Sequence, residues 1–390
     1  MMKSLSLRTS IFSVRYSAVL RRHSPVWIAG EGGDRGMSTL GVGIVGFGFM
    51  GRTHSYGHLN IPLFYDPPPV RTKLVGVCTS RTETGRKALE VVPFEFATTD
   101  YRELLKRDDI HLIHCCTPNR LHYPLLVDAL KAGKHLYCDK PLAANVQEAR
   151  EIAALSARGA AKYQMAHQCR FLPATLRARQ LVQEGFLGRV FHFRAEYLHA
   201  GYVDPTRPMS WRLSKEESGG GALFDLGSHI IDLVAHLLGD FESVFAVAET
   251  LIKERPVKGQ PGVKQPVEVD DLTLMTVRMK SGAVGVIESS RLATGAQDEC
   301  RFEIHGERGA MRFNIMDPNW LYVYDCRDAE GPYGGHRGFK QLECVQRYPA
   351  PSVLPAPKVS VGWIRGHLHC LYDFLTHIAQ DTPTSPSLAE

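Results

Sequence analysis

A glycine spacing at the end of an apolar run constrains this chain more than any other feature. Gly46-Phe47-Gly48-Phe49-Met50-Gly51 closes the run Leu40–Gly46, which reads as a buried parallel strand, and opens a helical stretch. Glycines so placed permit a tight turn and close backbone approach, and a pyrophosphate can rest on the N-terminus of the helix that follows. The same spacing also occurs in turns that bind nothing, so the surroundings decide. In them, these six residues become candidates for holding a dinucleotide.

Downstream, His54–Leu63 reads as a helix stopped by Pro67-Pro68-Pro69, Lys73–Thr79 as a strand and Thr82–Val91 as a helix. Tyr101–Lys106 is a short helix, Ile110–Cys116 a strand, His122–Ala132 a helix closed by Gly133, Lys134–Cys138 a strand and Ala144–Arg158 a helix. That alternation predicts a doubly wound parallel sheet. After about residue 165 the rhythm changes. Phe191–Tyr197, Val244–Leu251, Asp271–Met279, Ala283–Ser289, Arg301–Ile304 and Ala310–Phe313 are β-rich runs separated by turn residues, which predicts a mostly antiparallel sheet with one open face. The expected division is an extension at 1–36, a nucleotide-binding domain at 37–162 and a substrate-binding and oligomerisation domain at 163–390.

Charge and composition exclude several classes of function. Of the 46 bases and 41 acids, residues 1–36 hold six bases and two acids, so the remainder is near neutral and offers no phosphate-tracking surface for nucleic acid. No run of about 18 uninterrupted apolar residues occurs, and no membrane span is expected. The nine cysteines are scattered and form no C-x-x-C, which argues against a disulfide framework and leaves thiolate metal binding without support. Residues 1–36 carry Arg and Ser with no acid before Glu31. They read as a transit peptide, implying a mitochondrial protein, or as an extension upstream of Met37, in which case the expectation is cytoplasmic.

Several further segments could carry chemistry. The second strand ends Cys78-Thr79-Ser80-Arg81 without a carboxylate. Ser80 and Arg81 suit a ribose 2′-phosphate and lean towards NADP over NAD, although an Arg exposed at a helix start is the alternative. Thr117-Pro118-Asn119 ends the next strand, where ligands of open α/β sheets bind. Asn119 and His122 are therefore cofactor-facing candidates, with a capped turn as the other reading. Asp139-Lys140-Pro141 ends a further strand, and Pro141 keeps Lys140 extended, aiming its ammonium from a strand end. Beside a nicotinamide, such a Lys can hold a substrate hydroxyl and stabilise developing negative charge.

Gly219-Gly220-Gly221 leads into Asp225 and His229, which are i and i+4 and so share a helix face. The glycines let backbone crowd a ligand, His229 can accept a proton from an alcohol, and Asp225 can orient it. Asp232 reaches the same face and reads as structural. Trp211-Arg212 suits a polyhydroxylated ring, or is a core Trp beside a surface Arg; Arg170 is a weaker substrate-side candidate. The remaining histidines show no metal-ligand spacing.

The order of the fingerprint, T-P-N, D-K-P, W-R and G-G-G-x-L-x-D-x-G-x-H resembles the Gfo/Idh/MocA oxidoreductase family over about residues 40–390. The resemblance implies an α/β Rossmann domain, doubly wound on a parallel sheet, plus a C-terminal α+β domain with a large, mostly antiparallel open sheet that makes homodimers or homotetramers. It also implies NAD(P)-dependent oxidation of a secondary alcohol on a sugar or cyclitol, with Lys140 as the catalytic lysine and Asp225 and His229 as the acid and the acid/base histidine. An NAD-using glycosidase and a non-catalytic dinucleotide sensor are rival activities on the same fold. Two departures stand out: Asp139 replaces the family's usual Glu, and the chain stops at Pro386–Glu390, so the family's final helix is expected to be missing.

Overall fold

The computed structural model describes residues 39–390; the 1–36 extension, with both of its readings, lies outside the described residues. Strand β1 (Thr39–Val45) is buried from Leu40 onward, as its apolar run requires. With β2 (Arg71–Cys78), β3 (Phe96–Thr98), β4 (Leu112–Cys115), β5 (His135–Cys138) and β6 (Tyr163–Met165) it forms a parallel six-stranded sheet in the order β3-β2-β1-β4-β5-β6. Helices α1 (Phe49–Phe64), α2 (Thr82–Val91), α3 (Tyr101–Leu105), α4 (His122–Lys131) and α5 (Val146–Ser156) make the connections. The order reverses between β1 and β4, and a crevice opens outside the carboxyl ends of those strands. The break expected at residue 162 falls inside this sheet. Tyr163–Met165 pairs with β5, because three buried residues complete the apolar layer there, and the architecture changes only after Met165.

The second half adds α6 (Pro173–Gln183), β7 (Val190–Leu198), α7 (Lys215–Ser218), α8 (Ser228–Leu238), β8 (Phe241–Glu249) and the small hairpin β9 (Glu254–Pro256) with β10 (Lys264–Pro266). It continues with β11 (Leu272–Met279), β12 (Val284–Ser290), β13 (Glu299–Gly306), β14 (Gly309–Asn314), β15 (Trp320–Asp325) and β16 (Lys340–Glu343). Eight of these strands form a sheet in the order β16-β15-β14-β13-β7-β12-β11-β8, antiparallel except where β7 meets β12. Strict alternation of buried and exposed residues in β11 gives the sheet two unlike faces. One packs on α6 and α8 through Ile230, Leu233, Val277 and Phe302. The other leaves Phe245, Val247, Leu274 and Val286 exposed. The segment Lys215–Leu238 is long and apolar enough by composition to cross a membrane, but the apolar face of α8 is spent on this core.

The last described helix ties the end of the chain back to its beginning. α9 (Trp363–Gln380) runs for 18 residues and returns to the first domain, where Leu371, Phe374 and Leu375 join the core formed by Ile61, Tyr65 and Tyr137. Its apolar positions recur at helical spacing, and burying that face holds it against α1. Phe374 is fully buried. Phe374→Ala is expected to cost about 3–5 kcal/mol, read as a lowered urea midpoint at unchanged m-value.

Candidate active site

The glycine loop is built for a ligand. Gly46 has φ +94°, and a Cβ there would lie 2.4 Å from the Cys116 carbonyl oxygen; a Cβ on Gly51 would lie 2.0 Å from the Gly46 carbonyl oxygen. At Gly48 a Cβ would meet nothing within 4 Å, so the loop backbone is bare on the crevice side. A pyrophosphate can approach the backbone at the start of α1 there, and the residues present fit a dinucleotide. Phe47, Phe49, Met50, Ser80, Arg81, Thr117, Pro118, Asn119, Asp139 and Lys140 line the same cleft, whose volume is about 1150 Å³. Asn119 also donates to the Ser218 carbonyl at 2.7 Å, tying the T-P-N turn to the second domain.

Across the cleft stand Trp211, Arg212, Asp225 and His229. Lys140 Nζ donates to the Asp225 backbone oxygen at 2.6 Å and to its Oδ1 at 3.0 Å. Arg291 donates to Oδ2 at 3.0 Å, and Arg212 Nε lies 3.8 Å from that same oxygen. Burial would raise the Asp225 pKa, but Lys140, Arg291 and Arg212 reverse this and hold the carboxyl well below the usual range. Asp225 sits in a π-helical turn, Leu223–Gly227, and His229 is in the first turn of α8. The His229 Nδ1 is buried without a protein partner. Its pKa is pushed well down, first by burial and then by Lys140 and His167. The ring is therefore neutral near pH 7. Asp139 accepts from the Lys140 backbone N–H at 2.9 Å, and burial raises its own pKa.

Three expectations are corrected by the side chains' positions. Arg170 does not reach the cleft: it is buried and grips Asp232 in a bidentate pair at 2.8 and 2.6 Å, with Glu390 Oε1 at 3.3 Å. His122 is also turned away, buried beneath the cofactor side with both ring nitrogens on backbone carbonyls. Of the triple glycine, Gly220 lines the cleft, while Gly219 and Gly221 serve protein packing instead of ligand approach. A Cβ on Gly219 would fall 2.0 Å from the Ala144 oxygen, and one on Gly221 would fall 1.8 Å from the Asp270 oxygen. The backbone here crowds backbone.

Cys115, His122 and Cys138 bring three ligand-type atoms within 4.8 Å of one another, a grouping that sequence spacing does not reveal. Both His122 ring nitrogens lie 2.9 Å from backbone carbonyl oxygens, contacts the ring would have to give up to bind a cation.

Sequence reasoning did not single out Tyr197, His199, Tyr202, Arg207 and Asp298, which line the cleft. It missed Gln168, Arg291, Trp363 and His367 altogether. The ring of Trp363 lies 5.4 Å from that of Phe49, and the His367 ring lies 4.1 Å from Trp363 in a tilted contact, so α9 completes the wall above the glycine loop.

A glycine fingerprint at the switch point of a doubly wound sheet, faced by a lysine, a carboxylate and an imidazole from a second domain, defines a nicotinamide-dependent oxidoreductase. Residues 40–167 match the oxidoreductase family with an NAD-binding Rossmann fold, and residues 175–312 match the GFO/IDH/MocA C-terminal domain. The chain belongs to the Gfo/Idh/MocA family. It is 34% identical over 366 residues to levoglucosan dehydrogenase of Pseudarthrobacter phenanthrenivorans, covering 91% of this chain and 93% of that one. It is 26% identical over 269 residues to myo-inositol 2-dehydrogenase of Thermotoga maritima, 69% of this chain and 73% of that one. A solved structure of levoglucosan dehydrogenase in complex with NADH and levoglucosan superposes with a TM-score of 0.86 at 34% identity, covering 90% of this chain and 93% of that chain. The protein is thus an NAD-binding oxidoreductase of the sugar-dehydrogenase type, acting on CH–OH donors.

The correction at Arg170 has a measurable consequence. Arg170→Ala leaves Asp232 as a buried, unpaired charge and is expected to lower stability by about 3–5 kcal/mol in a denaturant titration. Turnover per folded molecule should stay within twofold, whereas a substrate-binding role would raise KM.

Proposed function

We propose that this protein reversibly oxidises a secondary alcohol on the ring of a sugar or cyclitol, with Lys140, Asp225 and His229 at the reacting carbon. The observation that carries the reading is their convergence with the glycine loop on one cleft, where His229 Nδ1, both ring nitrogens of His367 and Gln168 Oε1 are buried without protein partners. Such atoms suit a ligand with several hydroxyls. When bound, the nicotinamide supplies the redox step, taking up the hydrogen on carbon as hydride.

The chain's own residues do the rest. Neutral His229 accepts the hydroxyl proton. Lys140 spends two of its three N–H groups on Asp225, and the third is free to donate to the oxygen as negative charge develops on it. Asp225 keeps that ammonium in place, and Arg291 keeps Asp225 in place. Trp211, with the Arg212 guanidinium 4.5 Å from its ring centre, offers a stacked platform for a polyhydroxylated face. The cofactor we infer is NAD(H). Exposed Ser80 and Arg81, with no carboxylate at the end of β2, suit NADP(H) as well.

The test is a panel of sugars, anhydrosugars and cyclitols run separately with NAD⁺ and NADP⁺, reading reduced-nicotinamide absorbance. Folded enzyme giving no signal with any of them would sink the reading. Lys140→Met and His229→Ala should each lower kcat by about 10²–10⁴-fold. Because the His229 pKa is depressed, its basic form persists as pH falls through about 6.5, and kcat/KM for oxidation should show no acid limb there; an inflection at the ordinary histidine value would remove His229 as the base.

We also propose that the open face of the eight-stranded sheet pairs with a second copy of the chain. Exposed Phe245, Val247, Leu274 and Val286 support this, since a patch of that kind on one sheet face is costly in water. Phe245→Glu should convert the assembly to monomers by light scattering, and a wild-type monomer would refute the pairing.

A further inference from the structure

The T-P-N and D-K-P turns follow different strands, β4 and β5, yet one side chain touches both. His122, the first residue of α4, is 1% exposed. Its Nδ1 lies 2.9 Å from the Pro141 carbonyl oxygen and its Nε2 2.9 Å from the Thr117 carbonyl oxygen. Both partners are acceptors with no proton to give. A neutral imidazole carries a single N–H, which would leave a ring lone pair facing a carbonyl lone pair at one of the two contacts. Only the doubly protonated ring donates to both.

The surroundings supply counter-charge. Cys115 at the end of β4 places its sulfur within 4.8 Å of the ring's ligand atom, while the Cys138 thiol, kept protonated by burial, lies 3.7 Å from Nδ1 and donates its hydrogen to the Asp139 carbonyl oxygen at 3.1 Å. Asp139 follows Cys138, and Lys140 is the next residue on the same turn. Burial opposes a charged ring here, but Cys115, Asp139 and the Thr117 carbonyl outweigh it and hold the His122 pKa up to about 9. Every other described histidine with a resolved shift is pushed towards the neutral form.

We propose that His122 is a positioning residue, a buried imidazolium that fastens the cofactor-lining Thr117 turn to the Pro141 carbonyl and thereby sets where the Lys140 ammonium points. Charge-assisted bonds from one rigid ring to two loops fix the distance between those loops, which two independent turns would not do. The proposal rests on the role given above to Lys140. It differs from the reading of the sequence, in which His122 faces the cofactor.

The first test is ring ¹⁵N NMR of the full-length, NAD(H)-bound protein labelled at histidine. One ring should keep both nitrogens protonated at about pH 8, where an ordinary histidine has titrated, and His122→Asn should delete that signal. Absence of any doubly protonated ring at that pH overturns the proposal, and this wild-type measurement decides even if no variant folds. The second test is kinetic. His122→Phe should lower kcat about 10²-fold, with KM for the nucleotide changing less than about threefold. His122→Gln, whose amide can donate two hydrogens, should recover part of the loss. Unchanged kcat per nucleotide-binding site in His122→Phe also overturns it. A charged ring together with full turnover in Lys140→Met would instead remove the lysine's catalytic role while leaving the clamp intact.

Discussion

One carboxylate holds the two halves of the active site in register. Lys140 comes from the end of β5 in the parallel sheet, while Asp225 and Arg291 come from the second domain, and they meet through bonds of 2.6–3.0 Å. Taking these charges from water is expensive, so the cluster adds little net stability; removing any one member strands the others and costs about 3–5 kcal/mol. Its value is geometric. Its pH sign follows from the depressed Asp225 pKa. The stability it gives is complete above the ordinary carboxylate range and is lost only as pH falls through the lowered value. Burial keeps the neighbouring base His229 free of its proton, and the ammonium that would meet a developing alkoxide adds to that effect.

A second set of cations builds the floor on which that cluster rests. Arg291 and Arg255 are both almost wholly buried, and their guanidinium carbons lie 4.9 and 5.7 Å from the centre of the Tyr202 ring, with Arg207 at 4.2 Å on the exposed side. Arg255 also donates to the Tyr202 and Asp204 carbonyls, at 2.5 and 2.7 Å. The loop carrying Trp211 and Arg212 is therefore pinned by charge-assisted bonds rather than by apolar packing alone.

How much of this was legible in the sequence depends on the range of the signal. Thr82–Val91 emerges with the bounds read from its spacing, and four strands of the parallel sheet (β1, β2, β4 and β5) fall within two residues of theirs, because local periodicity reports local burial, whereas the three-residue strands β3 and β6 are too short to show a pattern and were missed. Motif positions in the first domain likewise reached the cleft. Arg170 and His122 did not, because what a buried Arg or His bonds to is decided by residues far along the chain: Asp232 in one case, Pro141 in the other. Trp363 and His367 were invisible for the same reason, since nothing near them in sequence says that α9 folds back onto α1. The triple glycine was a correct landmark with a different cause, close backbone contacts to Ala144 and Asp270 that composition alone cannot name.

That returning helix has a consequence for biogenesis. The glycine loop leaves the ribosome early, yet part of the wall above it is Trp363 and His367, separated from it by more than three hundred positions. N-terminal segments begin to fold while synthesis continues. A nascent chain of this protein therefore carries an unroofed nucleotide crevice and an uncovered α1 until α9 has been made, and only then acquires a finished coenzyme pocket.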